Sequence, residues 1–191
     1  RAAHALPSTA KVLLFVGRIN PKKRLEDIIA AFAELAPREP DLHLVLAGQA
    51  DDAYLRALRG LVDRTGLSAR VRWVGFLDER AKPAAFAAAH CFVHASVSEG
   101  MALAILEAMA HGLPVVATEG CYMRAAAELG ALRECAQGGA ALAAALAPVL
   151  ADPAAARTLG AAGRRYIREV HDWDRLARRY LRIYEEGLRA R

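Results

Sequence analysis

Two glutamates and two cations stand where they could handle a phosphorylated ligand. Glu99 lies in a short polar loop, residues 96–100, and Glu107 follows with seven residues between the two. Glu107 sits among Leu103, Ile105, Leu106 and Met109, where an ionised carboxylate is costly unless a donor reaches it. A sugar or ribose hydroxyl is one such donor. Arg18 and Lys23 occupy a second loop, residues 17–24, reading G-R-I-N-P-K-K-R. An Arg fork and a Lys point charge together suit a pyrophosphate, and Gly17 permits a tight turn or a close ligand approach. The helix expected after Glu99 would add unpaired N–H groups and partial positive charge, again suited to phosphate. Each signal has a plain alternative: Glu99 as a helix cap, Glu107 on a solvated face, Arg18 and Lys23 as exposed loop cations. His90, His94 and His111 read as packed or capping residues, because the sequence places no acidic or nucleophilic partner beside them. Trp73 and Trp173 read as core or domain-contact rings.

The elements that must position these groups alternate between strand and helix. Short apolar strands are expected at Lys11–Val16, Leu42–Ala47, 71–74, 91–95 and Val115–Thr118, with a short edge strand at 131–135. Helices are expected at 25–36, 52–65, 80–89, 102–111 and, briefly, 125–129. In the first of these, Leu25, Ile28, Ile29, Phe32 and Leu35 repeat at three and four. Gly112 and Pro114 separate the helix at 102–111 from the next strand. From about Ala140 the chain reads as helix nearly to its end, with breaks at Asp152-Pro153 and His171-Asp172. The alternation predicts an α/β domain with a parallel, doubly wound sheet. In such sheets ligands bind beyond the carboxyl ends of the strands, which is where both charged loops fall. Residues 1–10 read as a linker, 11–170 as the sheet domain and 171–191 as a separate C-terminal helix.

The 191 residues are 55% hydrophobic, enough for a sizeable core, and carry 26 basic against 21 acidic groups for a net charge of +5. The excess lies in the last helices, where interleaved charge suits a solvated helix face more than a nucleic-acid surface. No run of eighteen apolar residues predicts a membrane span, and residues 1–10 do not read as a signal peptide. Cys91, Cys121 and Cys135 lack metal-ligand spacing and read as reduced, intracellular thiols. Neither G-x-x-x-x-G-K-[ST] nor G-x-G-x-x-G is present, so the loop at 17–24 is neither a P-loop nor a dinucleotide loop.

Four stretches together resemble the group 1, family-four retaining glycosyltransferases. They are G-R-x-x-x-x-K from Gly17 to Lys23, V-G-F-L from Val74, S-E-G-x-x-L-x-x-x-E-A-M-A-x-G-x-P-V-V-A-T from Ser98, and H-D-W-D-R-L-A-R-R-Y-L-R-I-Y from His171. The resemblance spans roughly Lys11 to Glu186. It implies the C-terminal, donor-binding Rossmann-like half of a GT-B fold, without the N-terminal acceptor half. It further implies that Arg18 and Lys23 neutralise a donor diphosphate, that Gly75 and Phe76 frame the base, and that Glu99 contacts the transferred sugar. Gly100, Met101, Ala102 and Leu103 would bring backbone groups to the donor, and Glu107 would take the ribose hydroxyls. No cofactor or metal is implied; the donor is a nucleoside-diphosphate sugar. The sequence departs from the family at four places: Gly100-Met101-Ala102 replaces Gly-Phe-Gly, Arg24 stands where glycine is common, Gly48-Gln49-Ala50 lacks a second glycine, and residues 119–124 lack a double glycine followed by Pro-Glu.

The expected activity is transfer of a sugar to an acceptor hydroxyl with retained configuration, with this half inactive by itself. The expected location is cytoplasmic, at the membrane face for the full-length enzyme if it contacts lipid. In the family the last helix crosses back onto the other domain. Here its stripe of Trp173, Leu176, Tyr180, Leu181 and Tyr184 should either fold onto its own domain or leave an exposed patch that invites dimers. A non-catalytic nucleotide-sugar-binding module, a sugar-nucleotide epimerase and a basic nucleic-acid-binding domain remain the alternatives.

Overall fold

The computed structural model describes residues 6–189. Six strands form one all-parallel sheet: β1 (Lys11–Val16), β2 (Leu42–Ala47), β3 (Val71–Gly75), β4 (Cys91–His94), β5 (Val115–Thr118) and β6 (Arg133–Cys135). Their order is β3-β2-β1-β4-β5-β6. The helices are α1 (Leu25–Leu35), α2 (Asp52–Arg64), α3 (Lys82–Ala88), α4 (Leu103–Ala110), α5 (Arg124–Glu128), α6 (Gly139–Ala151), α7 (Pro153–Val170) and α8 (Trp173–Arg189). Among the described residues no single helix is long and apolar enough to cross a membrane.

The continuous apolar runs of β1 and β2 follow from burial on both faces, since alternate side chains of a strand point to opposite sides. Leu13 and Phe15 pack with α1, α2 and α6 on one side. Val12, Leu14 and Val16 pack with α3, α4 and α5 on the other, where Tyr166 and Ile167 of α7 close the edge. Each fully buried Leu, Ile or Phe contributes about 1.5–3 kcal/mol. The chain winds outward from β1 to β3, then returns to the middle and winds the other way from β4 to β6. The order therefore reverses between β1 and β4. The chain leaves those two strands toward opposite faces of the sheet, the kind of position at which open α/β sheets bind ligands.

Several element ends differ from the sequence expectation for local reasons. The helix expected from residue 80 begins only at Lys82, because Asp78 Oδ1 accepts the N–H groups of Arg80 and Ala81 at 3.0 and 2.8 Å and folds a turn ahead of it. Asp152 caps α7 through the N–H groups of Ala154 and Ala155, and Asp172 Oδ1 takes the N–H of Arg175 at the start of α8. Both expected helix breaks thus coincide with aspartate caps. Of the segment read as a linker, residues 1–5 lie outside the described residues; Ala10 is buried, and its N–H bonds the Pro7 carbonyl at 3.1 Å.

Among the described residues, Arg24 (φ 50) and Tyr122 (φ 53) are the two non-glycine residues in the left-handed region. Both fall at departures from the family pattern. There glycine would adopt the same backbone without a Cβ penalty. Arg24 is held by a forked contact with Asp27, Nε–Oδ2 2.9 Å and Nη2–Oδ1 3.1 Å. Glycine is required at position 48: a Cβ there would lie 1.8 Å from the Gly17 carbonyl oxygen. The loops after β1 and β2 can approach so closely only without that side chain.

The last helix leaves the apolar patch. No residue of α8 is buried. Trp173 is 84% exposed and Tyr184 64%, so Trp173 is a core ring in no sense. Trp73, by contrast, packs partly into the core under the Arg59 guanidinium.

Candidate functional site

At the switch point two of the charged groups singled out in the sequence, Lys23 and Glu99, meet. The loop after β1 contains a single 3-10 turn, Pro21–Lys23, in which Pro21 pre-sets the backbone dihedral. This turn aims Lys23 at the loop after β4, where its Nζ pairs with Glu99 Oε1. The two loops are stitched by backbone as well: the Val97 N–H and the Ser96 hydroxyl both donate to the Lys22 carbonyl, at 3.0 and 3.1 Å. Ser96 is fully buried. Its own carbonyl accepts from Thr118 Oγ1 at 3.0 Å and Gln137 Nε2 at 3.1 Å. A Cβ on Gly120 would lie 2.3 Å from that same carbonyl oxygen. Segments following β1, β4, β5 and β6 therefore converge on one residue, which fixes the loop that carries Glu99.

Glu99 is the electrostatic centre. Its side chain is 10% exposed and that of Lys23 15%. His94 Nε2 lies 3.1 Å from the same carboxylate oxygen that Lys23 holds. The hydrogen bond to His94, with those to Lys23 and Ser96, holds the Glu99 carboxyl well below the usual carboxylate range, although burial acts the other way. Burial pushes the His94 imidazole down, against the bond to Glu99, so the ring is neutral at pH 7. The expectation for His94 is thereby corrected: it is packed, but it has an acidic partner that no sequence pattern placed beside it. His90 and His111 do stay structural. The Val12 N–H donates to His90 Nδ1 at 3.0 Å, and His111 stacks on Phe86.

Glu107 lies on the second turn of α4, 36% exposed, and Lys82 Nζ reaches it at 2.8 Å while also touching Glu79. The donor that a glutamate among apolar neighbours requires is thus a lysine of α3, and these pairings raise the Lys82 pKa, Glu107 first. A cavity of about 200 Å³ between α3 and α4 is lined by Glu79, Lys82, Phe86, Glu107 and His111. Lys82 was not foreseen; only the unmet need of Glu107 pointed to it.

The remaining residues fall at the same edge with one change. Arg18 is exposed beyond β1 and Gly17 lies against the Phe15 and His94 rings. Gly75 has φ 70, and its carbonyl already accepts from the Gly48 N–H at 2.7 Å, so that oxygen is committed. Phe76 is 69% exposed beside it. Gly100 and Met101 are exposed and Ala102 is buried. No side chain caps α4, yet the Leu103 N–H bonds the Met101 carbonyl at 3.0 Å. Of the backbone groups expected to be offered here, that of Leu103 is already engaged. Among the described residues no group of three or more His, Cys, Asp or Glu could hold a metal ion.

A 3-2-1-4-5-6 parallel sheet with charged loops on both sides of its switch point defines a Rossmann-like ligand-binding domain. The family described as glycosyl transferases group 1 matches residues 1–187, and the chain belongs to that family. It is 30% identical over 183 residues to a phosphatidyl-myo-inositol mannosyltransferase of Mycobacterium leprae, which covers 94% of this chain and 47% of that protein. A sucrose-phosphate synthase from Thermosynechococcus elongatus superposes with a TM-score of 0.87 at 32% identity, over 100% of this chain and 49% of that one. Anabaena HepE, solved in complex with UDP and glucose, shares the fold at a TM-score of 0.84 and 23% identity, over 94% of this chain and 49% of its own. The chain spans about half the length of each of these three proteins.

Proposed function

We propose that this chain is the donor-binding half of a retaining glycosyltransferase and holds a nucleoside-diphosphate sugar at the switch point between β1 and β4. The observation that carries this reading is the meeting of Lys23 with Glu99 at the switch point, with Arg18 on the same loop. A diphosphate entering there brings two negative charges. Lys23, a compact charge on a flexible stem, exchanges Glu99 for the phosphate, and Arg18 supplies a forked contact. Glu99, freed on that side, accepts from the hydroxyls of the sugar. Charge that develops on the leaving diphosphate meets these two cations and the start of α4, so no metal is invoked. The related HepE in complex with UDP and glucose is consistent with a donor of this class. The exposed apolar face of α8 is assigned to contact with the acceptor-binding half.

Calorimetry with nucleoside diphosphates tests the proposal. Arg18→Ala or Lys23→Ala is expected to weaken diphosphate binding by about 1.5–3 kcal/mol, the scale of a hydrogen bond to a charged group. The nucleoside without phosphates should lose far less. Equal losses on both ligands would overturn the assignment.

Glu107 is proposed to accept from the ribose hydroxyls, with Lys82 holding its carboxylate in place. Glu107→Gln should weaken a ribonucleotide more than its 2′-deoxy counterpart, by about tenfold if one charge-assisted bond is lost. Identical changes with the two sugars would show that Glu107 serves only its ion pair with Lys82.

A further inference from the structure

Donor binding through Lys23, Arg18 and Glu99 gives His94 no task of its own. The ring ends β4 at 2% exposure, packed against Phe15 (centroids 5.3 Å apart, planes at 20°) and Phe92 (6.1 Å, 15°). Burying an imidazole is unfavourable unless its nitrogens find partners. Here Nε2 faces Glu99 Oε1 at 3.1 Å and Nδ1 is buried without a partner. A carboxylate only accepts, so Nε2 carries the proton and Nδ1 keeps a bare lone pair. A second proton would place a charge and an unbonded N–H among phenyl rings. The charged groups that face the ring are Glu99, on the loop that follows β4, and Lys23, from the loop after β1. The result is a neutral donor, packed against two phenyl rings and aimed at one carboxylate oxygen. Lys23 holds that same oxygen, but its stem is flexible and its charge is wanted elsewhere when a diphosphate arrives.

We propose that His94 is a positioning residue that keeps the Glu99 carboxylate in register with the donor sugar after Lys23 has moved to the diphosphate, an inference that rests on the donor-binding function above. The division of labour follows from the two side chains. A lysine ammonium changes partners readily, whereas a buried ring packed against two phenyl groups cannot follow the phosphate. Without the His94 N–H, a Glu99 deserted by Lys23 would lose its principal remaining anchor and turn toward water.

The readout is the affinity that the sugar adds, from calorimetry of the chain with UDP-glucose against UDP and with GDP-mannose against GDP. His94→Phe keeps the packing and removes the donor. It is expected to weaken the sugar nucleotide about tenfold and the bare diphosphate less than about twofold, since one hydrogen bond to a charged group is lost at the sugar end alone. His94→Gln, whose amide nitrogen reaches near the Nε2 position, is expected to recover most of the loss. A merely structural histidine would not show that rescue. Should His94→Phe fail to fold, His94→Leu takes its place with the same expectation. Equal losses on both ligands, or a donor-less variant that binds the sugar nucleotide as the wild type does, would overturn the role of His94 while leaving donor binding intact. A wild-type chain that binds no nucleoside diphosphate would overturn both.

Discussion

Mixed with a nucleotide sugar and a sugar acceptor, the 191-residue chain is expected to transfer no sugar, and transfer is expected to appear once the acceptor-binding half is supplied. The chain aligns with 47% of its mannosyltransferase relative and 49% of the sucrose-phosphate synthase. The residues expected to bind the donor, Arg18, Lys23, Glu99 and Glu107, lie on the loops after β1 and β4 and on α4, all of one sheet domain. In the proposed reading they hold the donor, and an acceptor hydroxyl must be held against the anomeric carbon from the other side. Proximity and orientation supply about 7–11 kcal/mol of such a barrier, which is roughly five to eight powers of ten in rate. Product formation followed by mass spectrometry, with and without the complementary half, checks this. Robust turnover by the chain alone would show that one domain carries both sites, and the donor-half reading would fall.

Phe92→Ala is expected to destabilise the domain by about 3–5 kcal/mol, the cost of removing a fully buried phenyl ring and leaving a cavity. Phe92 is 0% exposed at the middle of the sheet, beside Phe86 (6.0 Å) and His94 (6.1 Å). A loss of that size is a large fraction of the roughly 5–15 kcal/mol that holds a typical domain. For a chain of this length it corresponds to a fall of roughly 6–20 °C in melting temperature. The comparison is Trp173→Ala on α8: the ring is larger but 84% exposed, so its removal should shift stability by no more than about 0.5 kcal/mol. Thermal melts followed by circular dichroism decide the matter. Similar melting temperatures for the two variants would mean either that the Phe92 pocket collapses at little cost or that α8 is packed in solution.

Sequence by itself determined the elements and their broad arrangement. Apolar runs such as Lys11–Val16 and Leu42–Ala47 are strands buried on both faces, and the three-and-four spacing of Leu25, Ile28, Ile29 and Phe32 is the inner face of α1. These patterns are legible because each is set by local geometry: a period of two for strands, 3.6 for helices, and an aspartate at a helix start. The two charged loops were also legible, since glycine, cations and glutamates at strand ends carry their chemistry in their types. What the tertiary structure alone decided is which of those groups touch. Lys23 and Glu99 are 76 residues apart, and Lys82 and Glu107 are 25 apart. No local period links such pairs; the strand order that puts β4 beside β1 does. His94 shows this most clearly. Read along the chain it is one more residue of an apolar strand, and only when Phe15, Phe92 and Glu99 are folded around it does it become a neutral hydrogen-bond donor with a single target. The same holds in reverse for α8, whose alternation of arginines with aromatic residues encodes an amphipathic helix, while only the tertiary structure decides that none of its residues joins the core on which this sequence closes.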